Sequence, residues 1–258
     1  MYLHTLVAGL PQAERAALVQ ATELRSYRRN ETVLAADEWT DCIYCVAGGL
    51  LRVVAHGSSS DDVTTEFIRQ DDFFFGSSFS EDRYQVAQSL VAALPSSVYL
   101  IPVSEMRRLC ALHPEISLKL LELAMKRLSA MRGQLRRISS LPSEDLVGRV
   151  LHQLSQLAPS TTGGYDKRIT QAVIASYAGL SREVVNKAMR NMEDRGLVRR
   201  DEHGLHVSSD FAATDFEPLP DEHSGSGNPA AASGPESPPI EAWSPSAADT
   251  LPVSLCQM

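Results

Sequence analysis

Hydrophobic and polar positions change period several times along this chain, and each change marks an element. Residues 10–20 read as a short leading helix. From about residue 20 to 112, apolar residues come in short runs broken by turn formers. The runs fall at 42–47, which leads into Gly48-Gly49, then 50–54, 63–69, 71–76, 89–94 and 98–102, with a polar turn over 57–62. Many short strands at close spacing predict an antiparallel barrel or roll. From about 114 to 141 the period lengthens. Leu121, Ala124, Leu128, Met131, Leu135 and Ile138 recur at alternating steps of three and four, the a/d seam of a heptad repeat. Lys126, Arg127, Arg132, Arg136 and Arg137 flank it. Such a helix can pack on its own domain or pair with a second copy. Gly133 softens it locally. Leu141-Pro142-Ser143 ends it, a new helix starts near Ser143, and the junction reads as a hinge between domains.

The pattern over residues 169–207 is a helix, a tight turn at Gly179, a second helix, and a hairpin opened by Gly196-Leu197-Val198-Arg199-Arg200. On a wheel advancing ~100° per residue, Arg182, Asn186, Glu183 and Lys187 fall within ~140° of one another. Val184, Ala188, Met192 and Val185 fill the opposed arc. That apolar arc can pack on the preceding helix through Val173, Ile174 and Leu180. The polar arc crowds into the first turns, where its residue types suit base edges. Arg or Lys donates to guanine, Glu accepts from cytosine and Asn pairs with adenine. Ser181 is a natural N-cap, and a helix N-terminus favours phosphate. An amphipathic helix alone would equally suit an ordinary bundle. The glycine turn, the preceding Thr170-Gln171 and the following wing together select a reading helix for the major groove.

This segment resembles the winged helix-turn-helix of the Crp/Fnr family of bacterial transcription regulators. The resemblance runs through Ile169-Thr170-Gln171, Ala175, Gly179-Leu180-Ser181-Arg182-Glu183, Val185 and Met192-Glu193-Asp194-Arg195-Gly196-Leu197-Val198. It implies that Arg182, Glu183 and Lys187 touch bases, with Asn186 at the position read in the Fnr-like branch, where Ser is usual. Thr170, Gln171, Ser181, Lys167, Arg168, Arg199 and Arg200 are then the expected phosphate contacts. It also implies that the long helix forms a parallel homodimer, so that two reading helices meet a pseudo-palindromic site on double-stranded DNA. RNA polymerase becomes an expected partner.

Charge changes the picture only when it is divided along the chain. The formal net charge is −8, which looks wrong for a DNA binder. Residues 1–100 carry −6, residues 101–210 carry +5, and residues 211–258 carry −7. Between Lys167 and Arg200 there are eight basic and three acidic residues, and it is this local field that phosphates meet. No run approaches the ~18 apolar residues of a membrane span. The N-terminus lacks a basic-then-apolar signal pattern, so a cytoplasmic protein with no membrane partner is expected. No nucleophile–base pair, phosphate loop or metal cluster stands out, and an enzyme is not expected.

The roll is similar to the family's cyclic-nucleotide-binding type, yet its motifs depart from those of the nucleotide binders. Their cassette begins Gly-Glu and ends in Arg-Ser or Arg-Thr. Here Ser77 follows Gly76, the Arg position falls near Ala87, and Arg83 is out of register. Burying a phosphate without a cation is costly. Iron–sulfur sensing in the Fnr branch rests on N-terminal cysteines, and none precedes Cys42. Cys42 and Cys45 are spaced C-x-x-C, but on a strand they point to opposite faces. Cys110 and Cys256 are isolated, and the thiols read as buried apolar groups. His203 and His206 read as wing residues. Both familiar effector sites therefore read as absent, and the effector stays unknown.

Residues 211–258 hold eight prolines with Gly and Ser between them, and no Lys or Arg. Such a segment cannot bury enough apolar surface to offset its ordering entropy, and it reads as a disordered acidic tail. Phe216, Trp243 and residues 251–255 are candidate docking motifs, and the tail is a candidate competitor for the basic reading face. The expected architecture is α+β. An antiparallel β-roll spans 1–112, a dimerisation helix 113–141, a winged helix-turn-helix 142–210 and the tail 211–258. The expected function is sequence-specific transcription regulation, with the roll as the place where a ligand or redox signal would gate it. The other reading is a small-ligand sensor, for nucleotide or haem, whose DNA binding is conditional or lost.

Overall fold

The computed structural model describes residues 6–56, 62–76, 79–160, 164–200 and 204–207. All of them belong to one compact unit, Met1–Phe216. The tail, Cys256 and His203 lie outside the described residues.

The elements run α1 (Gln12–Ala21), β1 (Glu23–Tyr27), β2 (Thr32–Leu34), β3 (Trp39–Thr40), β4 (Cys42–Gly48), β5 (Leu50–His56), β6 (Asp62–Arg69), β7 (Phe73–Phe74), β8 (Tyr84–Gln85), β9 (Ser89–Ala92), β10 (Ser96–Pro102), α2 (Val103–Leu112), α3 (Pro114–Ser140), α4 (Ser143–Leu157), β11 (Tyr165–Asp166), α5 (Gln171–Ala178), α6 (Arg182–Asp194), β12 (Val198–Arg200) and β13 (Gly204–Val207). The first ten strands make the roll. One sheet orders β1-β10-β4-β7 and a second β2-β9-β5-β6, with β3 and β8 as a separate pair. All these pairings are antiparallel. Leu34, Ile43, Leu51, Val53, Ile68, Leu90, Val98 and Ile101 turn inward and form its core. The expected roll is confirmed.

One part of the sequence reading is corrected. Residues 103–112, grouped with the strand-rich stretch though no run was placed there, form helix α2. Its buried Val103, Met106 and Leu109 stand at steps of three, which brings them onto one helical face. They close the end of the roll core together with Ile116 at the start of α3.

Helix α3 runs unbroken through Gly133 over 27 residues. Its Ile116, Leu120 and Leu123 pack on the roll core. The opposite stripe is bare. Leu121 is 58% exposed, Leu135 67%, and Leu128, Met131 and Ile138 are also exposed. Ala124 is half-buried, and Leu118 and Met125 extend the apolar stripe. Leu141 caps the helix in extended conformation, and Pro142 precedes α4.

A second core joins α4, α5 and α6 through Leu146, Val150, Ile174, Val185 and Met192. It also takes in Leu50, Phe67, Ala93 and Leu94 from the roll. The two halves of the molecule therefore share apolar packing beyond the junction at Pro142.

Candidate nucleic-acid interface

Helix α6 is placed by its two ends. Gly179 ends α5 in the left-handed region, at φ 67°, where glycine has no Cβ penalty. Leu180 N–H then returns to the Ala175 carbonyl. Ser181 is the N-cap of α6, and its hydroxyl accepts from Val184 N–H at 3.3 Å. At the far end Gly196, also left-handed at φ 72°, donates to the Glu193 carbonyl. Leu197 N–H reaches back to Met192 O. These local closures set where α6 starts, stops and gives way to the wing.

Between its ends, α6 buries Val185, Ala188, Met189 and Met192. Arg182, Glu183 and Lys187 are exposed, and Asn186 is half-buried beside them. Arg190, two turns beyond Arg182, shares the exposed side. The buried arc is rotated from the expected one. Met189 lies inside it, whereas Val184, expected to pack inward, is 38% exposed among the polar residues. Thr170 stands at the N-cap of α5 with an exposed side chain, and Gln171 is half-buried, its amide 3.8 Å from Met189 Sδ.

The wing is a three-stranded sheet in the order β11-β13-β12. Arg199 faces His206 across it and Arg200 faces Leu205. Lys167, Arg199 and Arg200 are exposed, Lys167 on the turn after β11. Two of the expected phosphate contacts are held by carboxylates. Arg168 donates to Asp166 Oδ2 at 2.5 Å, which pulls the Asp166 carboxyl below its ordinary value. Arg200 donates to Glu193. Arg195 is tied to Glu144 of α4 at 2.5 Å. The sequence reading gave neither Asp166 nor Glu193 a pairing role, although Asp166 lies only two residues from Arg168.

The roll side was expected to lack both familiar effector sites. Cys42 is half-buried and Cys45 buried, and burial pushes each thiol up to about 12. Both are therefore protonated and weakly nucleophilic. Among the described residues, no group of three or more His, Cys, Asp or Glu could hold a metal. No helix among them is long and apolar enough to cross a membrane. At Gly76, an added Cβ would overlap the buried Tyr84 ring. Tyr84 is fixed there by donating its hydroxyl to the Cys42 carbonyl at 2.7 Å. Arg83 is exposed beside Trp39, Glu81 and Asp82.

Comparison with known proteins follows this division. Residues 24–113 match the model of the cyclic nucleotide-binding domain, and residues 148–209 that of the Crp-like helix-turn-helix domain. The chain is 27% identical over 206 residues to a CRP-like cAMP-activated global transcriptional regulator of Mycobacterium tuberculosis, covering 78% of this chain and 90% of that one. It is 23% identical over 180 residues to the cAMP-activated global transcriptional regulator CRP of Pasteurella multocida, covering 68% and 85%. In fold it is similar to FixK2 from Bradyrhizobium japonicum, with a TM-score of 0.68, 18% identity, and 77% and 99% of the two chains covered. It is also similar to CLP of Xanthomonas campestris, described as c-di-GMP responsive, with a TM-score of 0.61, 17% identity, and coverage of 77% and 100%. The residues at Gly76 do not fit a cyclic phosphate in the manner of the nucleotide-binding cassette. The buried Tyr84 ring lies directly against Gly76, and the arginine of that stretch, Arg83, is exposed beside Trp39, Glu81 and Asp82.

Proposed function

The chain belongs to the Crp/Fnr family of bacterial transcription regulators, and on that premise we propose that it binds a pseudo-palindromic operator as a homodimer. The observation that carries this reading is the exposed polar start of α6, capped by Ser181 and flanked by the basic wing. Arg182 and Lys187 donate to guanine, Glu183 accepts from cytosine, and Asn186 meets adenine. Val184, exposed among them, meets a thymine methyl. Lys167, Arg199, Thr170, Gln171 and the backbone at Ser181 hold phosphates and set the register. Arg168 and Arg200 exchange their carboxylate partners for phosphate when DNA arrives.

The bare stripe of α3 is covered by the same stripe of a second copy. A surface of Leu121, Leu128, Met131, Leu135 and Ile138, with Ala124 at its margin, is too apolar and too continuous for a solvated helix. Two-fold pairing along this seam places two reading helices on one side of the duplex. The roll and the long helix then govern the spacing of the two readers, and RNA polymerase is the partner that turns binding into regulation. Replacing Arg182 or Glu183 by Ala tests the reading. Each change relaxes base preference at one position per half-site and costs about 1–3 kcal/mol of specific binding. An unaltered preference in both variants contradicts it.

A further inference from the structure

Arg127 sits midway along α3, on the side that meets the roll. Its Nε donates to Glu66 Oε1 at 2.7 Å and its Nη2 to Glu66 Oε2 at 2.6 Å. Its Nη1 donates to the Phe73 carbonyl, and the guanidinium lies 5.4 Å from the centre of the Phe75 ring. The two side chains are only 24% and 20% exposed. A fork gripped on three sides is a geometric constraint as well as a charge pair. The next residue makes the contrast. Lys126 pairs with Glu122 at side-chain exposures of 69% and 61%, where an ion pair holds little.

Glu66 belongs to a strand that faces two ways. From β6, Glu66 turns to α3, while Phe67 packs on Tyr177 of α5 with ring centroids 4.8 Å apart. Thr64 N–H donates to Ser176 Oγ at 2.7 Å, and Ser176 Oγ donates to the Asp62 carbonyl at 2.7 Å. The third side is closed by Gln134, buried on α3, whose amide donates to Tyr177 O at 3.3 Å. Arg127 and Gln134 are seven residues apart and lie within ~20° on the helix. A turn of α3 that moves one off its partner moves the other. Helix α5 shares its core with α6. Strand β6, α3 and α5 thus form a closed frame to which the reading helix is attached.

From this frame we infer that Arg127 is a positioning residue for DNA binding. Its fork on Glu66 sets the rotation of α3 on the roll, and through Gln134 and Tyr177 the pose of α5 and α6. The inference rests on the reading of α6 as the DNA reader.

The test uses the full chain with Arg127→Gln, Arg127→Lys and the charge-exchanged pair Glu66→Arg with Arg127→Glu, and Lys126→Gln as control. Each is measured against the duplex that the unaltered chain enriches from a random library, and against unselected duplex of the same length. Amide exchange in α5 is followed in parallel. Arg127→Gln is expected to lose about tenfold or more on the selected duplex, with unselected affinity kept because the basic face is intact. Exchange in α5 should rise by about tenfold. Arg127→Lys should fall between, the exchanged pair should recover part of the loss, and Lys126→Gln should match the unaltered chain. Selected-duplex affinity and α5 exchange both unchanged in Arg127→Gln would overturn the inference. If that variant fails to fold, a folded Arg127→Lys with unaltered affinity overturns it equally. If the unaltered chain enriches no duplex, the DNA reading fails, and α5 exchange alone then supports or overturns the coupling.

Discussion

The ring of Phe67 on β6 rests against the ring of Tyr177 on α5, with centroids 4.8 Å apart and planes tilted by 59°. Both side chains are buried, and Tyr177 exchanges hydrogen bonds with Gln153 of α4 through its hydroxyl. This contact ties the roll to the DNA-binding helices. Phe67→Ala should cost about 3 kcal/mol, the usual loss for a buried aromatic. It should also split one calorimetric unfolding transition into two, as the shared core is cut. A single, unshifted transition would show that the two halves are coupled elsewhere.

The long helix offers a second test. Leu121 and Leu128 are 58% and 40% exposed on a single protomer, so polar replacements there leave its own core intact. Leu121→Arg with Leu128→Arg should give a folded monomer by sedimentation velocity, with an unchanged circular dichroism spectrum. Specific DNA affinity should fall steeply, because half-sites are then bound one at a time. A variant that stays dimeric would move the dimer surface off this seam.

The proposed phosphate contacts on the wing differ in whether a carboxylate already engages them. Arg199→Gln should weaken all sequences alike and lower the slope of log affinity against log salt by about 1. Arg200→Gln should do less, since Glu193 competes for the guanidinium before DNA arrives. Equal effects at Arg199 and Arg200 would mean that the carboxylate is released at no cost.

Acid should loosen the base of the wing. The Arg168 guanidinium beside Asp166 lowers that carboxyl from its ordinary 3.8. A depressed carboxyl contributes stability that is fully present above its unfolded value and is lost as pH falls through the folded one. Stability should therefore drop below about pH 4, and Asp166→Asn should remove that part of the drop while costing at most about 1 kcal/mol at neutral pH, given the exposure of Arg168. Identical acid limbs in the two proteins, read by denaturant unfolding at each pH, would remove Asp166 from the explanation.

What could be read from the chain was local. The wheel over residues 182–194 placed Arg182, Glu183 and Lys187 outward because helix period and side-chain polarity agree there. It misjudged Val184, which sits at the edge of the apolar arc, and left out Met189, which completes that arc. Strand β1 was not singled out because four of its five residues are exposed and carry no alternation. Helix α2 was not separated from the strand-rich stretch because it is short and follows a genuine strand directly. The Arg127–Glu66 fork was invisible, since its partners lie 61 residues apart and meet only after the roll has closed. The departure from the nucleotide cassette at Ser77 was legible. Its physical counterpart, the Tyr84 ring over Gly76, needed the fold.

The most direct test is selection of binding sites from a random duplex library by the purified full chain with no effector added. Enrichment of an inverted repeat, lost on Arg182→Ala, is the expected result. It would place α6 in the major groove of both half-sites and show that the unliganded roll supports binding. A library that returns no enriched sequence, with or without the small-molecule fraction of a cell extract, would contradict the assignment of this helix as a sequence reader.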